Sequence, residues 1–286
     1  MTALQWNFFS EFRTEFKTQC DIWNRKYSSV LAPLQCAASA ADTPDYPLET
    51  GVVYNKALDD ITQENDIRLI VIGDNPGKDE QLARNNRYLV GQSGKIAEGF
   101  FRRNPQLGTD FRKNVIILNK TPVHTAKTNH LRSLCKNGGK EVEQLILDSQ
   151  LWMAQKTAEL HQSLCSAAAN KKETDSNNEQ YAAALPELWL VGYAELKGKG
   201  IFLPYRDELK RMYETKNTPN NNTTASTNSN STNQIMSAWN SVFVYQHFSM
   251  NRFLIDLTSF RTSHADMSLA ESLHQLGAQH RTEIFI

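Results

Sequence analysis

The sequence predicts an α/β protein, a three-layer α/β/α sandwich around a central, mostly parallel four-stranded sheet. Two observations predict it. Short, continuously apolar, β-branched runs recur along the chain, as expected of strands buried on both faces. Stretches of helical pattern separate them, and alternation of this kind gives a parallel sheet covered on both sides. In such sheets ligands bind outside the carboxyl ends of the strands, so the residues that follow each run are the ones to read for chemistry.

The elements follow in order. Phe9, Phe12, Phe16, Cys20 and Trp23 fall on one face of an amphipathic helix. Residues 30–50, with Pro33, Pro44 and Pro47, read as a linker, so residues 1–50 form an N-terminal helix and linker packing on a main domain at 51–286. The first strand is Leu69-Ile70-Val71-Ile72, ending at Gly73. The others are Asn114–Leu118, Leu188–Gly192 and Ser241–Tyr245, with helices around 94–103, 138–165 and 205–214. Polar insertions at 171–180 and 217–234 contain too little apolar surface to offset the entropy of ordering them.

Composition narrows the function. The 286 residues are 40% hydrophobic, and 31 basic residues balance 31 acidic ones, which argues against a binder driven by bulk positive charge. The balance is local in origin, because Lys78–Lys127 carries an excess of six positive charges that the rest of the chain offsets. No apolar run approaches the roughly 20 residues that span a bilayer. The first residues mix acids among aromatics, unlike an export or transit signal, and the four cysteines form no C-x-x-C pair. A cytoplasmic protein with reduced thiols and no membrane partner is expected. The histidines show no metal-binding spacing.

The first strand ends in Gly73-Asp74-Asn75-Pro76-Gly77-Lys78. A phosphate-binding loop does not fit, since the glycines are one residue too close and Asp79 stands where a metal-binding hydroxyl is needed. Gly91-Gln92-Ser93-Gly94-Lys95 fails as a nucleophile elbow because Lys95 occupies the final glycine position. The second strand runs into Asn119-Lys120-Thr121-Pro122 and the fourth into Gln246-His247-Phe248-Ser249-Met250-Asn251-Arg252. Asn75, Asn119 and His247 would therefore share one crevice. An amide can read the edge of a base, and a histidine can donate to a developing anion.

Over residues 67–260 these segments resemble the uracil-DNA glycosylase superfamily. Gly73-Asp74-Asn75-Pro76-Gly77 is similar to its first motif, and Arg87-Tyr88-Leu89-Val90-Gly91-Gln92-Ser93-Gly94 to its Phe-Val-Gly-x-x-Gly segment. Leu118-Asn119-Lys120 resembles its base-reading strand, and His247-Phe248-Ser249 its closing His-Pro-Ser motif. Phe248 departs from the motif's proline, and Leu89 stands where the family stacks a phenylalanine, so Tyr88 would have to supply that face.

The resemblance implies a monofunctional glycosylase of DNA repair. It would hydrolyse the N-glycosidic bond of uracil, or a related damaged base, flipped out of uracil-containing or mismatched DNA. Asn75 would hold the attacking water, His247 would donate to the departing base, and Asp74 would be the alternative base. Gly73, Pro76, Gly77, Tyr88, Leu89, Asn119 and Ser249 would surround the substrate, while Lys78, Lys95, Lys120, Met250 and Arg252 would meet DNA. A monomer without a cofactor is expected, because the cysteine spacing does not match the iron–sulfur cluster of one branch. The alternatives are a catalytically inactive nucleic-acid-binding protein of the same fold, or a small-molecule nucleotide hydrolase or transferase.

Overall fold

The computed structural model describes residues 1–174, 185–215 and 238–286. Strands β1 (Leu69–Gly73), β2 (Val115–Asn119), β3 (Glu187–Val191) and β4 (Val242–Tyr245) form one all-parallel sheet in the order β2-β1-β3-β4. Apart from Glu187 at the start of β3, every strand residue is buried, which is why the strands read as uninterrupted apolar runs. The helices are α1 (Ala3–Ser39), α2 (Gln92–Arg103), α3 (His130–Asn137), α4 (Gly139–Thr174), α5 (Leu203–Thr215), α6 (Arg252–Ser263) and α7 (Leu269–Ile284).

One face of the sheet is aromatic. Trp189 of β3 lies in register with Val71 and Phe243, and its ring centroid is 5.6 Å from Phe101 of α2 and 6.2 Å from Phe253 of α6. Helix α7 covers the β4 edge of this face, where the Tyr245 hydroxyl donates to the Leu273 carbonyl at 3.0 Å. Its start is fixed by a reciprocal cap between Ser268 and Glu271. The remaining helices form the other layer around α4, which packs against α1, α3 and α5. Trp152 of α4 sits between Phe16 (5.9 Å) and Trp23 (5.8 Å) of α1, and His161 contacts the Pro186 carbonyl just ahead of β3 at 2.8 Å.

The aromatic stripe of α1 is buried as its spacing requires. The helix is longer than expected, however, and runs through Pro33 to Ser39, so the linker begins only at residue 40. Proline removes one N–H donor, but the buried stripe continues from Leu31 before it to Gln35 and Ser39 on its far side. Gln35 Nε2 donates to the carbonyls of Gly51 (2.9 Å) and His124 (2.8 Å), which fastens this end of α1 to the sheet's loops. Residues 40–50 are themselves strapped down, since Gln81 Oε1 accepts from the backbone N–H of Glu49 (2.6 Å) and Thr50 (3.1 Å).

Helix α4 extends to Thr174, so the start of the polar stretch at 171–180 continues a helix; the rest of that stretch, and all of 217–234, lie outside the described residues. Among the described residues, no helix is long and apolar enough to cross a membrane.

The contact between α7 and β4 has little slack. A Cβ placed on Gly277 would lie 2.7 Å from side-chain atoms of Phe243 and Tyr245. Gly277→Ala is therefore expected to destabilise the protein by about 1–3 kcal/mol through overpacking, measured by urea denaturation. An unchanged midpoint would show that the helix can move away freely.

Candidate functional site

A crevice of about 700 Å³ opens at the carboxyl ends of the strands. It receives Asp74 and Asn75 from the end of β1, Asn119 from β2, Gly192 from β3, and Gln246 and His247 from β4. The chain leaves β1 for β2 on one side and returns to β3 on the other, so the crevice lies at the switch point of the sheet.

Its base is a buried ion pair. Lys120 is inaccessible to solvent, and its Nζ donates to Asp74 Oδ1 at 2.6 Å, to the Val191 carbonyl at 2.5 Å and to the Gly73 carbonyl at 3.3 Å. The ammonium also lies 5.0 Å from the centroid of the Phe202 ring. Burial draws its pKa below the ordinary lysine value, and the Asp74 carboxylate opposes that shift. Asp74 Oδ2 accepts from the Thr128 hydroxyl at 3.2 Å. Gly192 has φ +102°, and a Cβ there would lie 2.3 Å from Asp74 Oδ1, so glycine is required for the pair to close.

Asn75, Asn119 and His247 are among the crevice side chains with hydrogen-bonding capacity to spare. Asn119 is 2% exposed, and its Nδ2 is buried without a partner among the described residues. Gly73, beside it in register, leaves room for this amide, since a Cβ there would lie 2.4 Å from Asn119 Oδ1. Asn75 donates through Nδ2 to the hydroxyl (2.9 Å) and carbonyl (3.2 Å) of Thr125, which fixes the amide orientation and turns Oδ1 into an uncommitted acceptor. His247 Nδ1 accepts the Ser249 backbone N–H at 3.0 Å and lies 2.8 Å from its hydroxyl. This pattern assigns the ring proton to Nε2, which forms no hydrogen bond among the described residues. Burial lowers the pKa of His247, opposed by Asp74 and assisted by Lys120 and Arg252, so the neutral ring is favoured.

Other expected residues are placed differently. Tyr88 is 1% exposed and its hydroxyl donates to the Val53 carbonyl, so it belongs to the core and cannot face a ligand. From that segment Leu89, with φ +52°, and Ser93 line the crevice. The Leu89 N–H is held by Glu80 Oε1 at 2.8 Å and its carbonyl by Arg112 Nη2 at 2.7 Å. Lys120 is not a surface cation, because the ion pair consumes it. Lys95 lines a separate cavity with Arg87, Arg112 and Lys113. Pro76 is buried and shapes the turn through its carbonyl, which His124 Nδ1 contacts at 2.8 Å. Gly77, Ser249, Met250 and Arg252 line the crevice; Met250 is 68% exposed and, like Asn251, has a left-handed backbone. Phe248 does not loosen this turn, since it is fully buried against Phe253 at 4.9 Å.

Glu80 is the residue that sequence reasoning missed. It lines the crevice at 8% exposure, and burial pushes its pKa up to about 7 despite its bonds from the Gly77 and Leu89 backbone. Its position three residues after Gly77, where a carboxylate can fold back on the turn's N–H, was the available signal. Away from the crevice, Glu271 caps α7 and His274 bonds Glu187 at 2.7 Å. Among the described residues, no group of three or more His, Cys, Asp or Glu side chains is placed to hold a metal.

The cationic segment is divided. Arg87, Arg112, Lys120 and Lys127 are in ion pairs. Lys78, Arg84, Lys95, Arg102, Arg103 and Lys113 are exposed and form none among the described residues. Arg102 and Arg103 end α2, at the opposite end of the helix from Ser93, which lines the crevice.

Comparison of the chain with family models, curated proteins and solved structures returns no match.

Removing one partner of the ion pair leaves the other charge buried. Lys120→Met is expected to cost about 3–5 kcal/mol by chemical denaturation, and adding Asp74→Asn to recover part of that loss. Equal stability of Lys120→Met and wild type would show that Asp74 is adequately solvated without its partner.

Proposed function

We propose that the protein is a monofunctional DNA glycosylase that hydrolyses the N-glycosidic bond of uracil, or a related damaged base, flipped from DNA. The observation that carries this reading is Asn119, a buried amide at a strand end with its Nδ2 unspent in a crevice large enough for a base. An unpartnered buried donor costs about 1–3 kcal/mol, so a ligand that satisfies it gains selectivity as well as affinity. An amide presents one donor and one acceptor, which matches the O4 and N3–H edge of uracil.

The division of labour follows from the free functions of each group. Asn75 Oδ1 accepts from the attacking water, and it cannot remove a proton from it. Neutral His247 donates from Nε2 to the uracil O2 as negative charge develops there. Asp74, with Lys120 on one oxygen and Thr128 on the other, acts as a fixed charge near the developing oxocarbenium rather than as the base. Catalysis then rests on stabilising the leaving anion and on positioning the water. Flipping costs a few kcal/mol and is cheapest in mismatched or single strands. Met250, exposed at the crevice rim, is suited to fill the vacated stack, with Arg252 and Lys78 at the backbone.

One observation favours the inactive nucleic-acid-binding reading. Apart from His247, no aromatic ring lines the crevice among the described residues, so a base would rest on Leu89. Incubation of purified protein with uracil-containing single-stranded, U·A and U·G oligonucleotides separates the two. Formation of abasic sites is expected, with a fall of about 10²–10³ in rate for His247→Ala. DNA binding without abasic sites on any substrate would favour the inactive reading.

The pH profile tests the neutral histidine. Because burial lowers its pKa, His247 stays neutral to lower pH than an ordinary imidazole. The contribution of His247 to the rate should therefore be lost on acidification with a midpoint below 6.5. A rate that rises on acidification through 6.5 would instead indicate a cationic donor.

A further inference from the structure

We propose that Glu80 is a positioning residue of the crevice, whose ionised carboxylate clamps the turn carrying Asn75 to the segment carrying Leu89. The inference rests on the reading of this crevice as the site of an extrahelical base. The geometry is a two-point bridge: Oε2 accepts the Gly77 N–H at 3.1 Å and Oε1 accepts the Leu89 N–H at 2.8 Å. Gly77 belongs to the turn that presents Asn75, and Leu89 is the side chain on which a base would rest. A single carboxylate thus sets the spacing between the group that holds water and the group that supports the base.

The other carboxylates lining the crevice are neutralised by cations, Asp74 by Lys120 and Glu195 by Arg132. Glu80 forms no ion pair among the described residues, and its compensation is the two backbone N–H groups. The charged and titratable groups around it are Asp79 of its own turn, Tyr88 of the facing segment and Arg112 of the loop before β2. Across the crevice lie Asp74, Lys127, Glu195, His247 and Arg252. None of these displaces either N–H bond.

Leu89 needs such a clamp. Its backbone is left-handed (φ +52°), and it lies so close to α2 that a Cβ on Gly94 would overlap the Leu89 carbonyl oxygen. Arg112 holds that carbonyl, and Glu80 is the partner of the N–H. Charge-assisted bonds are about twice as strong as neutral ones, so protonating Glu80 weakens both ends of the bridge together. With its pKa raised to about 7 by burial, Glu80 is ionised above that value and neutral below it. The two N–H bonds lower the pKa that burial raises, so they favour the ionised form; with Glu80 still buried, the bridge should be strongest on the alkaline side of neutrality and weaken on the acid side.

The test uses full-length, ¹⁵N-labelled protein without DNA. In the wild type, the backbone amide signals of Gly77 and Leu89 are expected to shift together with a single midpoint at about 7. In Glu80→Gln the shared shift should vanish, because glutamine does not titrate, and it also offers one acceptor and places an NH₂ against the other N–H. In parallel, single-turnover excision from a uracil-containing oligonucleotide should fall roughly 10- to 100-fold in Glu80→Gln, the size of losing one charge-assisted bond. The wild-type rate should decline through a step at about 7, that step should be absent in Glu80→Gln, which keeps only the fall at lower pH assigned to His247, and Glu80→Asp should restore it in part. Absence of a shared midpoint for Gly77 and Leu89 overturns the clamp whatever the activity, and needs no variant. A shared midpoint with an unchanged rate and pH profile in Glu80→Gln overturns the positioning role. If the wild type excises no uracil, the glycosylase reading fails, while the amide titration still decides whether Glu80 bridges the two walls.

Discussion

The bond between Lys120 and Asp74 is the constraint on which the site depends. The ammonium touches the ends of three strands, bonding Asp74 and the Gly73 carbonyl at β1 and the Val191 carbonyl at β3 from its own place after β2. Burying either charge alone would cost several kcal/mol, so the pair closes only if the strand ends are in register. Its neighbours in sequence are the residues that matter, since Asn75 follows Asp74 and Asn119 precedes Lys120. Fixing the ion pair therefore fixes the backbone of both amides.

Around this anchor the polar groups fall into two kinds. Asp74, Lys120, Tyr88 and Glu80 have partners for their charges or hydroxyls and hold the frame. Asn75, Asn119 and His247 are each oriented at one end, by Thr125, by the space over Gly73 and by Ser249, and free at the other. Preorganised groups with spare capacity are what transition-state stabilisation requires, since they need no reorganisation when charge develops. On the proposed glycosylase reading, the same distinction places Asp74 as a fixed charge rather than as a base.

The sheet was legible because its strands are buried on both faces, so Leu69–Ile72 and Val242–Tyr245 carry the signal in unbroken apolar composition. The convergence of Asn75, Asn119 and His247 followed from the rule that sites lie at the carboxyl ends of parallel strands. Helix α1 was read short because Pro33 is a breaker by local chemistry, whereas the buried stripe through Gln35 overrides it. The choice between Tyr88 and Leu89 was not legible. It is set by a left-handed backbone held by Glu80, Arg112 and the close approach of Gly94, all distant interactions. Lys120 was misread for a similar reason, because a lysine's sequence neighbours do not reveal a buried carboxylate across the sheet. Net charge over Lys78–Lys127 likewise could not show that four of its cations are already paired.

On the proposed reading, the Asn119 amide is left without a protein partner among the described residues so that it can read a base edge. The most direct measurement follows the Asn119 side-chain NH₂ resonances, assigned with Asn119→Ala, while uracil is titrated into ¹⁵N-labelled protein. A saturable shift of both Asn119 protons, together with the Asn75 and Leu89 amides, is the expected result. Asn119 resonances that stay fixed as uracil saturates another part of the protein, or as no binding occurs, would contradict it.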